Sequence, residues 1–197
     1  RIRLWYLINN QFFPKTPDVK LQWIDIASAA GQSTLRGGLA ERFGVQMRTS
    51  SESRVAMAGG VARNGDSTVV NIDTLTLRVD SASARPRGFT LVAPAMLRFM
   101  PGANGTLGSL DSLVLQHTDT GRIAMRGGLA AGGVVTGRLD ADRVALADIG
   151  RLLRTSGLTR GTASATLALR GTREQPRIDG TVDLRDAVAG RVRFGDL

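Results

Sequence analysis

Three residues in one short stretch have the side-chain types of a hydrolase triad: Ser112, His117 and Asp119. A serine triad needs a nucleophile exposed on a strained turn and a base oriented by a third group. No Gly-x-Ser-x-Gly elbow or comparable spacing occurs in the chain to hold such a serine. His117, the only histidine, is instead expected at a strand end in water. The sequence therefore predicts no triad and no enzymatic activity.

Two pairs of carboxylates have the residue types that bind a hard cation or act as acid and base: Asp140 with Asp142, and Asp183 with Asp186. Asp140 and Asp142 are two residues apart, which on a strand places both on one face. Arg138 and Arg143 lie close by, so cross-strand ion pairing on a wet face is the expected use. The Gly-Gly pairs do not lead into the Lys-Ser/Thr of a phosphate loop. We expect no metal site and no cofactor.

The charge pattern argues against nucleic acid as a partner. The 197 residues carry a formal net charge of +9, but the basic residues are scattered, and only Lys15 and Lys20 are lysines. Aromatic residues, which would stack on bases, make up 5% of the chain. The pattern favours solvated strand faces, with attraction to anionic lipid headgroups as an addition. The absence of cysteine excludes disulfides and thiolate metal sites, and is compatible with either redox compartment.

The elements that would position these side chains are indicated by an internal repeat. Residues 55–62 return as residues 123–130 with five identical positions, and shorter copies lie at 36–40 and 170–172. The intervals are close to multiples of 22 residues. A unit of this size has room for two strands of roughly 8 to 10 residues and two turns. The repeat predicts an array of β-hairpins.

The alternation of apolar and polar residues predicts an all-β fold, an elongated antiparallel hairpin-repeat sheet curled into a groove. Residues 1–20 are irregular, a lead-in or the end of a preceding repeat, and residues 21–197 form a continuous β-repeat region with a candidate break at 81–88. At most one short helix is expected, near 147–153. Because the chain opens without Met and closes in mid-pattern, we expect it to be a piece of a longer protein.

One face of the predicted sheet is aliphatic, strand after strand. Two interpretations stay open: the face packs against a second sheet as a closed core, or it lines a groove in which acyl chains gain roughly 0.8 kcal/mol per buried methylene. A register slip of one residue would turn every such side chain outward. By alternation, the residues predicted to line a lipid groove are Leu75, Leu77, Leu113, Leu115, Ile123, Met125, Leu167, Leu169, Val182, Leu184, Val192 and Phe194.

The final segment resembles the repeat of TamB-type proteins in the AsmA-like superfamily. The residues that carry the resemblance are 161–172 (GTASATLALRGT), Pro176, 180–187 (GTVDLRDA) and 193–197 (RFGDL). Residues 139–149 (LDADRVALADI) are similar to the segment that introduces this repeat, and 88–95 (GFTLVAPA) are similar too. The resemblance covers residues 68–197, and its motifs are mostly glycine, proline and alternating aliphatics.

The resemblance implies a periplasmic protein, anchored to the inner membrane through a segment outside this chain, with a taco-like apolar groove. It implies phospholipid acyl chains as the partner, moving towards the outer membrane. It also implies a second role in outer-membrane protein assembly beside a barrel of the TamA type, in which sheet edges pair with incoming strands. The alternative from another class is a structural or adhesive β-repeat stalk whose aliphatic face is closed core.

Overall fold

In the computed structural model, the described residues are 3–4, 24–36, 39–49, 53–79, 87–102, 105–152, 158–189 and 192–193. The strands within these ranges are β1 (Arg3–Leu4), β2 (Ile24–Arg36), β3 (Leu39–Thr49), β4 (Arg54–Asn64), β5 (Ser67–Val79), β6 (Arg87–Leu91), β7 (Ala95–Gly102), β8 (Gly105–His117), β9 (Arg122–Leu129), β10 (Val135–Ala145), β11 (Leu158–Gly171), β12 (Pro176–Ala189) and β13 (Val192–Arg193). One α-helix, α1 (Leu146–Leu152), and a 3-10 turn at Ala131–Gly133 complete the described elements. The all-β prediction and the single short helix are confirmed.

The strands form one antiparallel meander. Each strand pairs with the next along the chain, except that β6 and β7 share one place between β5 and β8. These two are halves of a strand interrupted at residues 92–94, where Pro94 has no N–H to give to a ladder. The Val92 N–H still donates to the Val114 carbonyl at 2.9 Å. Hairpin connections of this kind need no crossover helices, which fits the short intervals between strands.

The internal repeat marks the first strand of two hairpins. Residues 55–62 lie in β4 and pair with β5, and residues 123–130 run along β9 and pair with β10. A Cβ atom on Gly59 would lie 1.9 Å from the Asn71 carbonyl oxygen, and one on Gly127 would lie 2.7 Å from the Thr136 carbonyl oxygen. The shared glycine therefore lets the partner backbone approach closely. The strands of the longer hairpins have 11 to 14 residues, which is more than the 8 to 10 predicted.

Helix α1 follows β10 directly and contacts β5, β10 and β11. In the sheet order, β5 and β11 are five strand spacings apart. In a flat sheet that would be roughly 24 Å, at about 4.8 Å per strand, whereas a helix is only about 10 Å wide. The sheet must therefore curve around α1 for both strands to reach it.

The apolar core lies in this curved central part. Its buried members are Ile72, Phe89, Ala95, Leu113, Leu115 and Val144. Half-buried apolar side chains from β4, β5, β8, β9, β10 and α1 pack around them, among them Met57, Leu77, Met125 and Ile149. The core therefore consists of one sheet closing on itself and on a helix. Among the described residues, no second sheet packs face to face on this one, which was one of the two interpretations left open.

Several predicted features fall on residues that the structure does not describe. Residues 21–23, at the start of the predicted β-repeat region, lie outside the described ranges, as do most of residues 1–20 and residues 81–86 of the candidate break. Within the described part, β5 pairs with both β6 and β7 across that break. No helix among the described residues is long and apolar enough to cross a membrane.

Candidate functional site

The register of the strands places a long aliphatic surface on one side of the sheet, called here the apolar face. Directly opposed residues on antiparallel strands point to the same side, so the ladder pairs trace rows across the sheet. One row runs from β3 to β5 through Val45, Met57 and Leu75. Another runs from β6 to β12 through Leu91, Leu115, Ile123, Ala141, Ala165 and Val182. A parallel row comprises Leu113, Met125, Leu139 and Leu167.

Ten of the twelve residues predicted from alternation lie on the apolar face: Leu75, Leu77, Leu113, Leu115, Ile123, Met125, Leu167, Leu169, Val182 and Leu184. Val192 is on β13, where its backbone pairs with Ala189 of β12. Phe194 lies outside the described residues. The two-residue period of apolar residues was therefore sufficient to identify the apolar face, because successive side chains of a strand point to opposite sides of the sheet.

The apolar face is closed in the middle of the sheet. Leu113 is 8% exposed and Leu115 is 4% exposed, and both belong to the packed cluster that α1 covers. Leu75, Leu77, Ile123 and Met125 are half-buried against the same cluster. Leu113 and Leu115 therefore act as core residues, and the four half-buried side chains pack against them.

The same face is open at the β11–β12 end. Val182 is 53% exposed, although Leu115 in the same register row is buried, and Ile178 on the same face is 58% exposed. Leu167 and Leu169 on β11 are half-buried beside them. Aliphatic side chains in adjacent positions therefore meet solvent here. An exposed apolar patch of this kind typically marks a binding surface.

A buried polar pair connects α1 to the closed, central part of the apolar face. The His117 Nε2 atom lies 3.0 Å from the Asp148 Oδ2 atom, and the two side chains are 1% and 0% exposed. These atoms are close without the alignment of a hydrogen bond, so the contact is mainly electrostatic. The other Asp148 oxygen accepts a hydrogen bond from Arg151 Nη1 at 3.0 Å. His117 ends β8 and Asp148 lies in α1, so the pair ties the helix to the sheet.

The loop after β8 determines the form of the imidazole. The Asp119 backbone N–H donates to His117 Nδ1 at 3.1 Å, so Nδ1 is an acceptor and the proton of the neutral ring is on Nε2, facing Asp148. The Phe89 ring meets the imidazole edge-on at 4.9 Å between centroids. The prediction that His117 lies in water at a strand end is therefore wrong. Its alternation with Leu113 and Leu115 was the signal that placed it on the apolar face.

The residues that resemble a triad in sequence do not form one. Ser112 is exposed on β8 beside a register shift between Leu110 and Leu113. The Asp119 carboxylate accepts a hydrogen bond from Arg87 Nε at 3.0 Å, and only its backbone N–H reaches the imidazole. His117 is enclosed by Phe89 and Asp148, without access to a nucleophile on the surface.

The carboxylates on β10 form ion pairs with arginines of their own strand. Arg138 donates to both oxygens of Asp140, with Nε–Oδ2 at 2.7 Å and Nη2–Oδ1 at 2.9 Å, and Arg143 Nε lies 3.3 Å from Asp142 Oδ2. Ion pairing is confirmed for both, but its predicted cross-strand geometry is wrong. The contact that crosses strands is the hydrogen bond from Thr166 Oγ1 to Asp140 Oδ1 at 3.2 Å. Asp183 and Asp186 are exposed on β12.

The hydrogen bond from Arg138 holds the pKa of the Asp140 carboxyl below its ordinary value of 3.8. The folded-state pKa is the lower one, so the pair stabilises the fold above the unfolded pKa and loses that effect as the pH falls through the folded pKa. We expect Arg138→Ala to raise the pKa of Asp140, measured by NMR titration of its carboxyl carbon. Arg170→Ala, which removes a different exposed strand arginine, should leave it unchanged. An equal rise in both variants would show that only long-range charge matters.

Comparison with protein-family models, with curated proteins and with solved structures gives no match to this chain. The geometry described above and the sequence resemblance are therefore the basis for the function proposed below.

Proposed function

We propose that this chain binds phospholipid acyl chains on the open end of its apolar face and guides them along it. The observation that carries the proposal is the continuity of the face: the row that contains the buried Leu115 extends to Val182 on β12, and Val182 and Ile178 are more than half exposed. The methylene groups of a ligand would make apolar contacts with these exposed side chains, as apolar side chains do with each other in the core. The TamB-type resemblance of this segment supports the same function.

The energetics suit transfer better than tight recognition. Each methylene that moves from water onto the face contributes about 0.8 kcal/mol. Val182, Leu167 and Leu169 offer only aliphatic carbon, so one position along the face resembles the next and sliding changes little free energy. We propose an acyl chain as the ligand, held without specific hydrogen bonds. The periplasmic location, the inner-membrane anchor and a barrel partner of the TamA type belong to the same proposal and are supported by the resemblance alone.

Site-specific photo-crosslinking on β12 tests this function. A crosslinking residue at Val182 should give phospholipid adducts when the purified chain is mixed with vesicles of phosphatidylethanolamine and phosphatidylglycerol, detected by mass spectrometry. The matched control is Thr181, which is also exposed but points to the opposite side of the sheet. A crosslinker at Leu115, which is buried beneath α1, should give none.

Two results would contradict the proposal. Equal labelling at Val182 and Thr181 would indicate contact with vesicles through any exposed side chain. No labelling at Val182 would favour the second candidate, a structural β-repeat stalk. The closed centre of the sheet is the specific observation in favour of that candidate, because Leu113 and Leu115 are already filled by protein contacts. In a stalk, Val182 and Ile178 would be covered by the next repeat.

A further inference from the structure

Strand β12 is paired along one side and, among the described residues, almost unpaired along the other. Strand β11 pairs with β12 over its whole length. On the other side, β13 pairs with Val188 and Ala189, and the described residues provide no further partner there. Backbone N–H and C=O groups along such an edge can pair with another strand. We call residues 177–185 of β12, on this unpaired side, the β12 edge.

The features that usually protect a sheet edge lie at the two limits of the β12 edge, not within it. Pro176, which has no N–H, begins β12. Asp186 has a φ of 49° and lies where the pairing with β11 becomes irregular. Between these limits the register with β11 runs without a shift. The β12 edge is therefore a continuous backbone ladder that can accept a second strand.

The side chains of the β12 edge are charged on one face of the sheet and aliphatic on the other. Ile178 and Val182 are the aliphatic ones, and both are more than half exposed. The charged ones are also exposed, and no described residue makes an ion pair with any of them: Arg177, Asp179, Asp183 and Arg185. An incoming strand would therefore meet charges that have no partner yet.

Two copies of the β12 edge fit each other in one antiparallel register. When Gly180 of one copy lies opposite Gly180 of the second copy, Arg177 lies opposite Asp183, and Ile178 lies opposite Val182. A two-fold axis repeats every contact, so this register contains two ion pairs and two aliphatic pairs. Opposed pairs of both kinds stabilise a sheet. Gly180 has no side chain that would hold the two backbones apart at the axis.

The other registers of the same two strands fit less well. Moving the axis one residue towards the C terminus places Arg177 opposite Arg185, and like charges in opposed positions are destabilising. Moving it one residue towards the N terminus places Arg177 opposite Thr181, without an ion pair. Moving it two residues towards the C terminus places the aliphatic Ile178 opposite Asp186, where β12 is irregular.

We infer that the β12 edge binds the β12 edge of a second copy of this chain, as an antiparallel strand pair with Gly180 on the two-fold axis. The two sheets then join into one sheet. Because the axis is perpendicular to the sheet, the apolar faces of both copies lie on the same side. The inference depends on strand pairing alone and does not rest on the proposed function, so either one can fail while the other holds.

Sedimentation equilibrium of the 197-residue chain over a range of concentrations tests the inference. The average mass should rise with concentration from that of one chain towards that of two. Arg177→Asp should weaken self-association about tenfold or more, because both ion pairs become pairs of like charge. Asp183→Arg should weaken it similarly. The double variant Arg177→Asp/Asp183→Arg should restore self-association, since both ion pairs form again with their signs exchanged.

Arg185→Asp is the matched control. It makes the same change on the same face of the same strand, but in the inferred register residue 185 extends past Pro176 of the second copy. It should therefore retain self-association. Arg177→Asp lowers the net charge of +9 and would strengthen self-association if long-range repulsion controlled it, so the expected weakening is specific to the strand pair.

Three outcomes would overturn the inference. The first is the mass of a single chain at every concentration. The second is equal weakening in Arg177→Asp and Arg185→Asp, which would mean that another register or another surface joins the copies. The third is a double variant that associates no better than the single variants, which would mean that Arg177 and Asp183 do not face each other. The substituted residues are exposed, and an unchanged melting temperature shows that each variant is folded.

Discussion

Phe89→Ala should lower the free energy of unfolding by about 3–5 kcal/mol. Phe89 is 1% exposed and belongs to the buried cluster with Ile72, Leu113 and Leu115. Removing the ring deletes its apolar contacts and leaves a cavity where the sheet curves most closely around α1. It also removes the edge-on contact with the buried His117. Urea unfolding followed by circular dichroism measures the loss as a shift in the midpoint at constant slope.

The control for this prediction lies on the other half of the same broken strand. Phe99 is on β7 and is 39% exposed, outside the buried cluster. Phe99→Ala removes the same atoms, but more than a third of the residue is already in solvent, so we expect a smaller loss, below about 2 kcal/mol. Equal losses of unfolding free energy in Phe89→Ala and Phe99→Ala would mean that the centre of the sheet is as exposed to solvent as its ends.

The second large effect is expected for the pair that holds α1. Asp148→Leu should cost about 1–3 kcal/mol, because it removes the carboxylate that lies 3.0 Å from the buried Nε2 atom of His117. The Asp148 side chain is 0% exposed, so water cannot replace it without opening the helix. Arg151→Ala should cost less, about 1 kcal/mol, because the Arg151 guanidinium is 46% exposed and screened by solvent, and the buried Asp148 keeps its contact with His117.

A double-mutant cycle separates the pair from its surroundings. His117→Leu combined with Asp148→Leu removes both polar partners together, and an apolar replacement of a buried pair is often nearly neutral. We expect the double variant to be more stable than the single Asp148→Leu variant, measured as a coupling free energy from unfolding. Strictly additive losses would show that His117 and Asp148 do not interact. In the single Asp148→Leu variant, α1 should detach more readily. A crosslinking residue at Leu115 should then form lipid adducts.

Alternation in the sequence was enough for the class of fold and for the direction of side chains. Leu113, Leu115, Ile123 and Met125 lie on one face as predicted, because a strand has a period of two in any tertiary setting. The helix was also predictable from the spacing of Ile149 and Leu152. Strand length was not, since it depends on how far the partner strand continues, as with β11 and β12 at 14 residues each.

What the sequence determined by itself is the set of aliphatic residues on one side of an antiparallel meander. Only the tertiary structure decided which of them are core and which remain open. Leu115 is buried and Val182 is exposed in the same register row, because Leu115 packs within the core cluster and Val182 lies outside it. The contact between His117 and Asp148 was also hidden from the sequence. It joins residues 31 positions apart through the docking of a helix on the sheet, which local patterns do not contain.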